Sequence, residues 1–139
     1  MRRKIDCIFY YRLKCPYCER FDSYVLEPLE LEGYIRVRRI CVDLLADHPL
    51  LKINKWISEN LGMNGDYIVP LLIVNQGRKE KIGKIVFGIY TGREEVYPFE
   101  KEVAIMAKSF IDYLCSELKI SKSTLLEHPL IRKAYYGLK

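Results

Sequence analysis

The sequence predicts an α/β fold with a mixed four-stranded sheet, in the order β-α-β-α-β-β-α. Helices flank the sheet, and a C-terminal helical extension follows. Three observations predict this. Short β-rich runs alternate with helical patterns through the first half of the chain. The last two β-rich runs stand on either side of a short Asn75-Gln76-Gly77 turn, and a long helical pattern begins at Phe99.

The elements are justified in chain order. Ile5 to Tyr11 is β-rich and almost wholly apolar, which suits a strand buried on both faces. Pro16 sits at a helix N1 position, helical character runs from Tyr17 to Leu31, and Gly33 stops it. Pro28 falls late in that helix and is expected to kink or shorten it. Ile35 to Asp43 alternates and reads as the second strand. Asp47 or His48 caps a helix from Pro49, whose apolar stripe is Leu50, Ile53, Ile57 and Leu61.

Leu71 to Val74 follows Val69-Pro70 as a third strand, and Ile82 to Tyr90 is the fourth. Gly92 breaks the chain. Phe99 to Leu118 is the longest helix, with Val103, Met106, Phe110 and Leu114 on one face. Ser121 or Ser123 caps a short final helix toward Tyr136. A helix joins the first two strands, so they are expected to be parallel with a right-handed crossover. The last two are expected to be antiparallel. Residues 1–120 form the domain, and 121–139 form the extension packed on it.

Composition narrows the function. The chain has 139 residues, half of them hydrophobic, so one domain buries a core without metal or disulfide staples. The net charge of +5 is spread out. Met1-Arg2-Arg3-Lys4 and Arg36-Val37-Arg38-Arg39 are small clusters that read as solvated faces. No nucleic-acid module is present, so a nucleic-acid partner is not expected. No apolar run approaches the ~20 residues that cross a bilayer. The apolar Ile8-Phe9-Tyr10-Tyr11 is too short for a signal-peptide core. The chain reads as cytoplasmic, with no membrane partner. Abundant Ile, Tyr, Lys and Glu with a single glutamine, Gln76, hint at a thermophile.

The chemistry centres on Cys15-Pro16-Tyr17-Cys18, at the junction of a buried strand and a helix. Cys15 falls near the N-cap, where free N–H groups and the helix dipole stabilise an anion. The thiolate is the reactive form, so Cys15 is the expected nucleophile, with Arg12 and Lys14 adding positive charge. Cys18 lies almost one turn later on the same side, placed to attack a mixed disulfide at Cys15. Pro16 starts the helix, and Tyr17 is expected at the rim of the site.

At these residues the sequence resembles a known family. Lys14-Cys15-Pro16-Tyr17-Cys18 is similar to the active-site motif of glutaredoxins, in the thioredoxin superfamily. The element order over residues 3–118 is similar too, which implies a thioredoxin-like fold. The resemblance implies further roles. Arg12 matches the basic residue that glutaredoxins carry near the glutathione carboxylate. Val69-Pro70 matches a cis-proline loop whose preceding residue offers backbone groups to substrate. Gly92 matches the glycine after the fourth strand. There are departures. Val69 stands where glutaredoxins usually have threonine, and Thr91-Gly92-Arg93-Glu94-Glu95 lacks the paired glycines. Lys14 replaces the tryptophan of thioredoxins.

The resemblance implies a thiol–disulfide oxidoreductase acting on a disulfide-containing protein or a low-molecular-weight thiol. It needs no metal and no organic cofactor beyond a thiol donor. Glutathione and another thiol or protein donor stand as equal alternatives. A second function class is a protein-interaction module with a structural or regulatory cysteine pair. Zinc usually requires four ligands, and no second Cys-x-x-Cys or His-x-x-x-His exists.

Bland readings cover the remaining candidates. Cys7 and Cys41 fall on neighbouring strands and either meet or, more commonly in such positions, stay free and buried. Cys115 reads as core. His48 and His128 each precede a proline and read as caps or surface residues. Asp6 is not placed as an acid under the cysteine pair. Glu19 reads as solvated, and the eleven tyrosines read as packing.

Overall fold

β1 (Ile5–Tyr11) is the middle of the structure, parallel to β2 (Ile35–Cys41) on one side and antiparallel to β3 (Val69–Val74) on the other. The computed structural model describes residues 4–44, 48–60, 67–74, 85–90 and 99–137. β4 (Ile85–Tyr90) lies antiparallel beyond β3, giving the order β2-β1-β3-β4. Every residue of β3 is buried, as expected where helices cover both faces.

The structure does not show the expected mixed four-stranded, thioredoxin-like sheet. The class is α/β, but the part of the sheet that runs unbroken is three-stranded and mixed. The ladder from β3 to β4 shifts register between Val69 and Leu71. Pro70 sits at that shift and has no N–H to donate, so pairing is interrupted there. The described part of β4 pairs with β3 from Ile85 to Tyr90, and Ile82 lies outside the described residues. The Asn75-Gln76-Gly77 turn lies outside the described residues.

The helix after β1 also departs from expectation. Pro28, expected to kink or shorten it, does not shorten it. α1 (Pro16–Phe21), a π-helical turn (Asp22–Leu26) and α2 (Glu27–Leu31) run on without a break. Pro28 cannot donate to Tyr24, four residues back, and its ring crowds that carbonyl. The bonding widens instead, and the Glu27 N–H reaches the Asp22 carbonyl five residues back. Gly33, at φ 84°, then stops the helix, and the Tyr34 N–H closes on the Leu29 carbonyl at 3.0 Å.

This helix is pinned to β2 by ion pairs. Arg39 donates twice to Asp22, at 2.9 and 2.8 Å, and once to Glu30 at 3.0 Å. The hydrogen bonds that Arg39 donates to Asp22 and Glu30 raise its pKa further above its already high value. Glu30 Oε2 also accepts the Val37 N–H at 3.1 Å, on an edge strand. On the same strand, Arg36 forms a two-pronged pair with Asp6 at 2.8 and 3.2 Å.

α3 (Pro49–Asn60) is capped by His48, whose Nδ1 accepts the Leu50 N–H at 3.1 Å. Its buried positions are Leu51, Asn54, Ile57 and Ser58, while Leu50 and Ile53 are half-buried. The expected stripe is thus rotated toward Asn54, and Leu61 lies outside the described residues. Tyr10 donates to the Leu50 carbonyl at 2.6 Å and ties this helix to β1.

α4 (Phe99–Leu118) packs Phe110 against Phe21, which packs in turn against Phe9. Their ring centroids are 6.4 and 5.8 Å apart. Two short helices follow rather than one. α5 (Lys122–Leu125) is capped by Ser121, and α6 (Pro129–Tyr135) by His128. α6 lies against α4 and the π turn, and Leu125, Ile131 and Ala134 belong to the same core as β1. Among the described residues, no helix is long and apolar enough to cross a membrane.

Because Ile131 is 1% exposed in that shared core, Ile131→Ala should cost about 2–4 kcal/mol. Guanidinium denaturation should show one transition moved to lower denaturant. A separate early phase, with the main transition unmoved, would show that the C-terminal helices unfold independently.

Candidate functional site

The site begins where β1 ends. The Val42 N–H donates to the Tyr11 carbonyl at 2.9 Å, so β1 and β2 stay together to their last residues. Asp43, just beyond, reaches back to the turn that follows β1. Its Oδ2 accepts the Leu13 N–H at 3.0 Å, and its Oδ1 accepts Arg12 Nε–H at 3.3 Å. Lys14 then takes φ 58°, a left-handed conformation that costs a non-glycine residue energy. That conformation turns the chain sharply into Cys15.

Cys15 is extended and serves as the N-cap of α1, with Pro16 in the first turn. Its Sγ accepts the Cys18 N–H at 3.2 Å. The Cα atoms of Cys15 and Cys18 are 5.3 Å apart and their sulfurs are bonded as a disulfide. A thiolate released at Cys15 on reduction would face the free N–H groups and positive pole of the helix.

A cavity of about 310 Å³ opens beside the pair. Phe9 and Tyr11 form its aromatic wall, and both sulfur-bearing residues line it. Arg12, Lys14, Glu19, Asp22 and Arg39 supply charge. Asp22 stands four residues after Cys18, on the same side of the helix. Glu19, expected to be merely solvated, is exposed but borders this cavity.

The other predicted positions are placed as follows. Arg12, Lys14 and Pro16 are exposed at the site. Tyr17 is 9% exposed and packs into the core, so it does not stand at the rim. Val69-Pro70 is a cis peptide bond at the start of β3, buried, and β3 touches α1. Gly92 lies outside the described residues.

No protein-family model, no curated protein and no solved structure matches this chain.

Cys7 and Cys41 do not meet. Cys7 sits opposite Val37, and Cys41 sits opposite Tyr11, four residues further along. At ~3.3 Å per residue that offset is far beyond disulfide reach. Both are free and buried. Burial, with lesser help from Asp6 and Glu30, pushes the Cys7 thiol up to about 12. Burial also raises the half-buried Cys115 thiol and the Tyr10 hydroxyl. Among the described residues, no group of three or more His, Cys, Asp or Glu is placed to hold a metal.

Two residues that sequence reasoning missed hold this site. Asp43 is one. Asn54 is the other, fully buried on α3. Its side-chain amide donates to the Ile68 carbonyl at 2.9 Å, and its Oδ1 accepts the Ile68 N–H at 2.8 Å. The amide thus replaces a neighbouring strand for Ile68, the residue before Val69-Pro70. An asparagine inside a predicted apolar stripe, spaced with Leu51, Ile57 and Ser58, was the available signal.

Asn54→Ala should destabilise the fold by about 2–4 kcal/mol, because it strands two buried backbone groups. Chemical denaturation checks this, and a loss below half a kcal/mol would show that water replaces the amide. The Cys7 thiol gives a pH dependence. Its folded pKa lies above the unfolded value of 9.0, so the unfolded chain releases its proton first. The stability this contributes is whole below pH 9 and is lost as pH rises toward 12. Denaturation midpoints from pH 8 to 11 should fall, and Cys7→Ala should flatten the fall. An unchanged slope in that variant would assign the effect to other groups.

Proposed function

We propose that this chain is a thiol–disulfide oxidoreductase in which Cys15 is the nucleophile and Cys18 the resolving cysteine. One observation carries the reading. A bonded Cys-x-x-Cys pair caps a helix and lines a charged cavity directly.

In the reduced chain, the Cys15 thiolate attacks one sulfur of a substrate disulfide. That S–S bond breaks, a Cys15–substrate bond forms, and the other substrate sulfur leaves as a thiolate and takes a proton. The Cys18 thiolate then attacks Cys15 Sγ. The mixed disulfide breaks, the second substrate thiol leaves, and Cys15–Cys18 is oxidised. Two equivalents of a thiol donor, glutathione or another, restore the dithiol. Val69-Pro70 offers backbone to the substrate, and Gly92 is a further substrate-binding position. These two roles rest on the likeness of the motif to glutaredoxins. We read the cytoplasm as the compartment, where thiols such as Cys7 and Cys41 stay reduced.

Insulin reduction with dithiothreitol tests the reading. The wild-type chain should accelerate precipitation, and Cys15→Ser should lose at least about a hundredfold of that activity. Cys18→Ser should accumulate a mixed disulfide at Cys15. A wild-type chain without activity would favour an interaction module whose cysteine pair is structural.

A further inference from the structure

Asp43 takes no part in the exchange chemistry, yet its two oxygens grip the turn that delivers Cys15. Oδ2 holds the Leu13 amide, and Oδ1 holds the Arg12 guanidinium. We propose that Asp43 is a positioning residue that sets the acidity of Cys15 by cancelling the charge of Arg12. This rests on reading Cys15 as the reactive thiol.

Five charged side chains line the cavity beside Cys15. Arg12 and Lys14 face the cavity from the turn, Glu19 and Asp22 from the helix, and Arg39 from β2. Arg39 is already held by Asp22 and Glu30. Glu19 and Asp22 are fixed on the same helix as the cysteines. Arg12 is paired with Asp43, a carboxylate that does not itself border the cavity. The strength of that one pair therefore adjusts the share of positive charge that Arg12 brings to the cavity beside Cys15.

Geometry supports the same assignment. Lys14 holds a left-handed conformation between the gripped residues and Cys15. A turn with such a residue persists only where neighbours over-determine it. The Asp43 carboxylate is the side chain that bonds it from outside, through Leu13.

The two functions of Asp43 separate by substitution. Asp43→Asn keeps an oxygen for the Leu13 amide and removes the charge. Arg12→Gln removes the opposite charge. Both are measured on the full-length reduced chain, by the pH dependence of iodoacetamide alkylation at Cys15. Asp43→Asn should lower the titration midpoint on the order of half a pH unit, as one charge at partly screened range does. Arg12→Gln should raise it by a similar amount, and the double variant should return near the parent. In glutathione buffers, Asp43→Asn should shift the couple about threefold toward the dithiol, since a stabilised thiolate favours reduction.

A midpoint that stays or rises in Asp43→Asn overturns the proposal. So does an Arg12→Gln midpoint that does not rise, which keeps the test open if Asp43→Asn fails to fold. A merely structural Asp43 would lower the melting temperature without moving the midpoint. Alkylation does not require the enzyme reading. If insulin reduction fails while these midpoints move as stated, the function falls and the role of Asp43 stands.

Discussion

The central position of β1 is the constraint on which the rest depends. It bonds to β2 and β3 along both edges, and Phe9 and Tyr10 are sealed from solvent. A strand held on two sides and two faces cannot shift its register without moving a whole buried set to the wrong side. The point where the chain leaves the sheet is therefore fixed. Cys15 follows that exit by four residues, so its place is decided by packing well away from the sulfur.

The helix that carries the cysteines is fixed by a second, independent anchor. Its π turn and the Arg39 bonds to Asp22 and Glu30 hold the middle against β2, while Phe21 anchors the inner face between Phe9 and Phe110. Charge pairing to Arg39 and aromatic packing on Phe9, its neighbour across the sheet, act together on one element. A helix held in this way presents its N-terminus rigidly, which suits a pair of sulfurs that must meet repeatedly at one geometry.

Much of this was legible in the sequence, because it rests on local pattern. The strands of the first half, the long helix from Phe99 and the capping histidines follow from periodicity and from Pro and Gly placement. The cysteine motif at a strand–helix junction was legible for the same reason. What escaped depends on contacts distant in sequence. The α3 stripe was misjudged because Asn54 is buried to serve Ile68, and an asparagine reads as polar until its partner is known. Tyr17 was expected at the rim, but tertiary packing draws it inward. Pro28 was expected to kink or shorten the helix, whereas the backbone runs on through a widened turn. A mixed, thioredoxin-like sheet of four strands was expected, and Pro70 interrupts the pairing of the third strand with the fourth.

The bond from Val37 to Glu30 has a consequence for how copies of this chain behave when crowded together. β2 is an edge strand, and open edge amides invite the strand of another molecule. One of those amides is already occupied by a carboxylate that also holds Arg39. A second chain adding itself there would have to displace that carboxylate and leave Arg39 with Asp22 alone. Charged Arg36 and Arg38 flank the position and repel a like strand laid alongside. The contact that steadies the cysteine-bearing helix thus also shields this border from fibrous self-assembly.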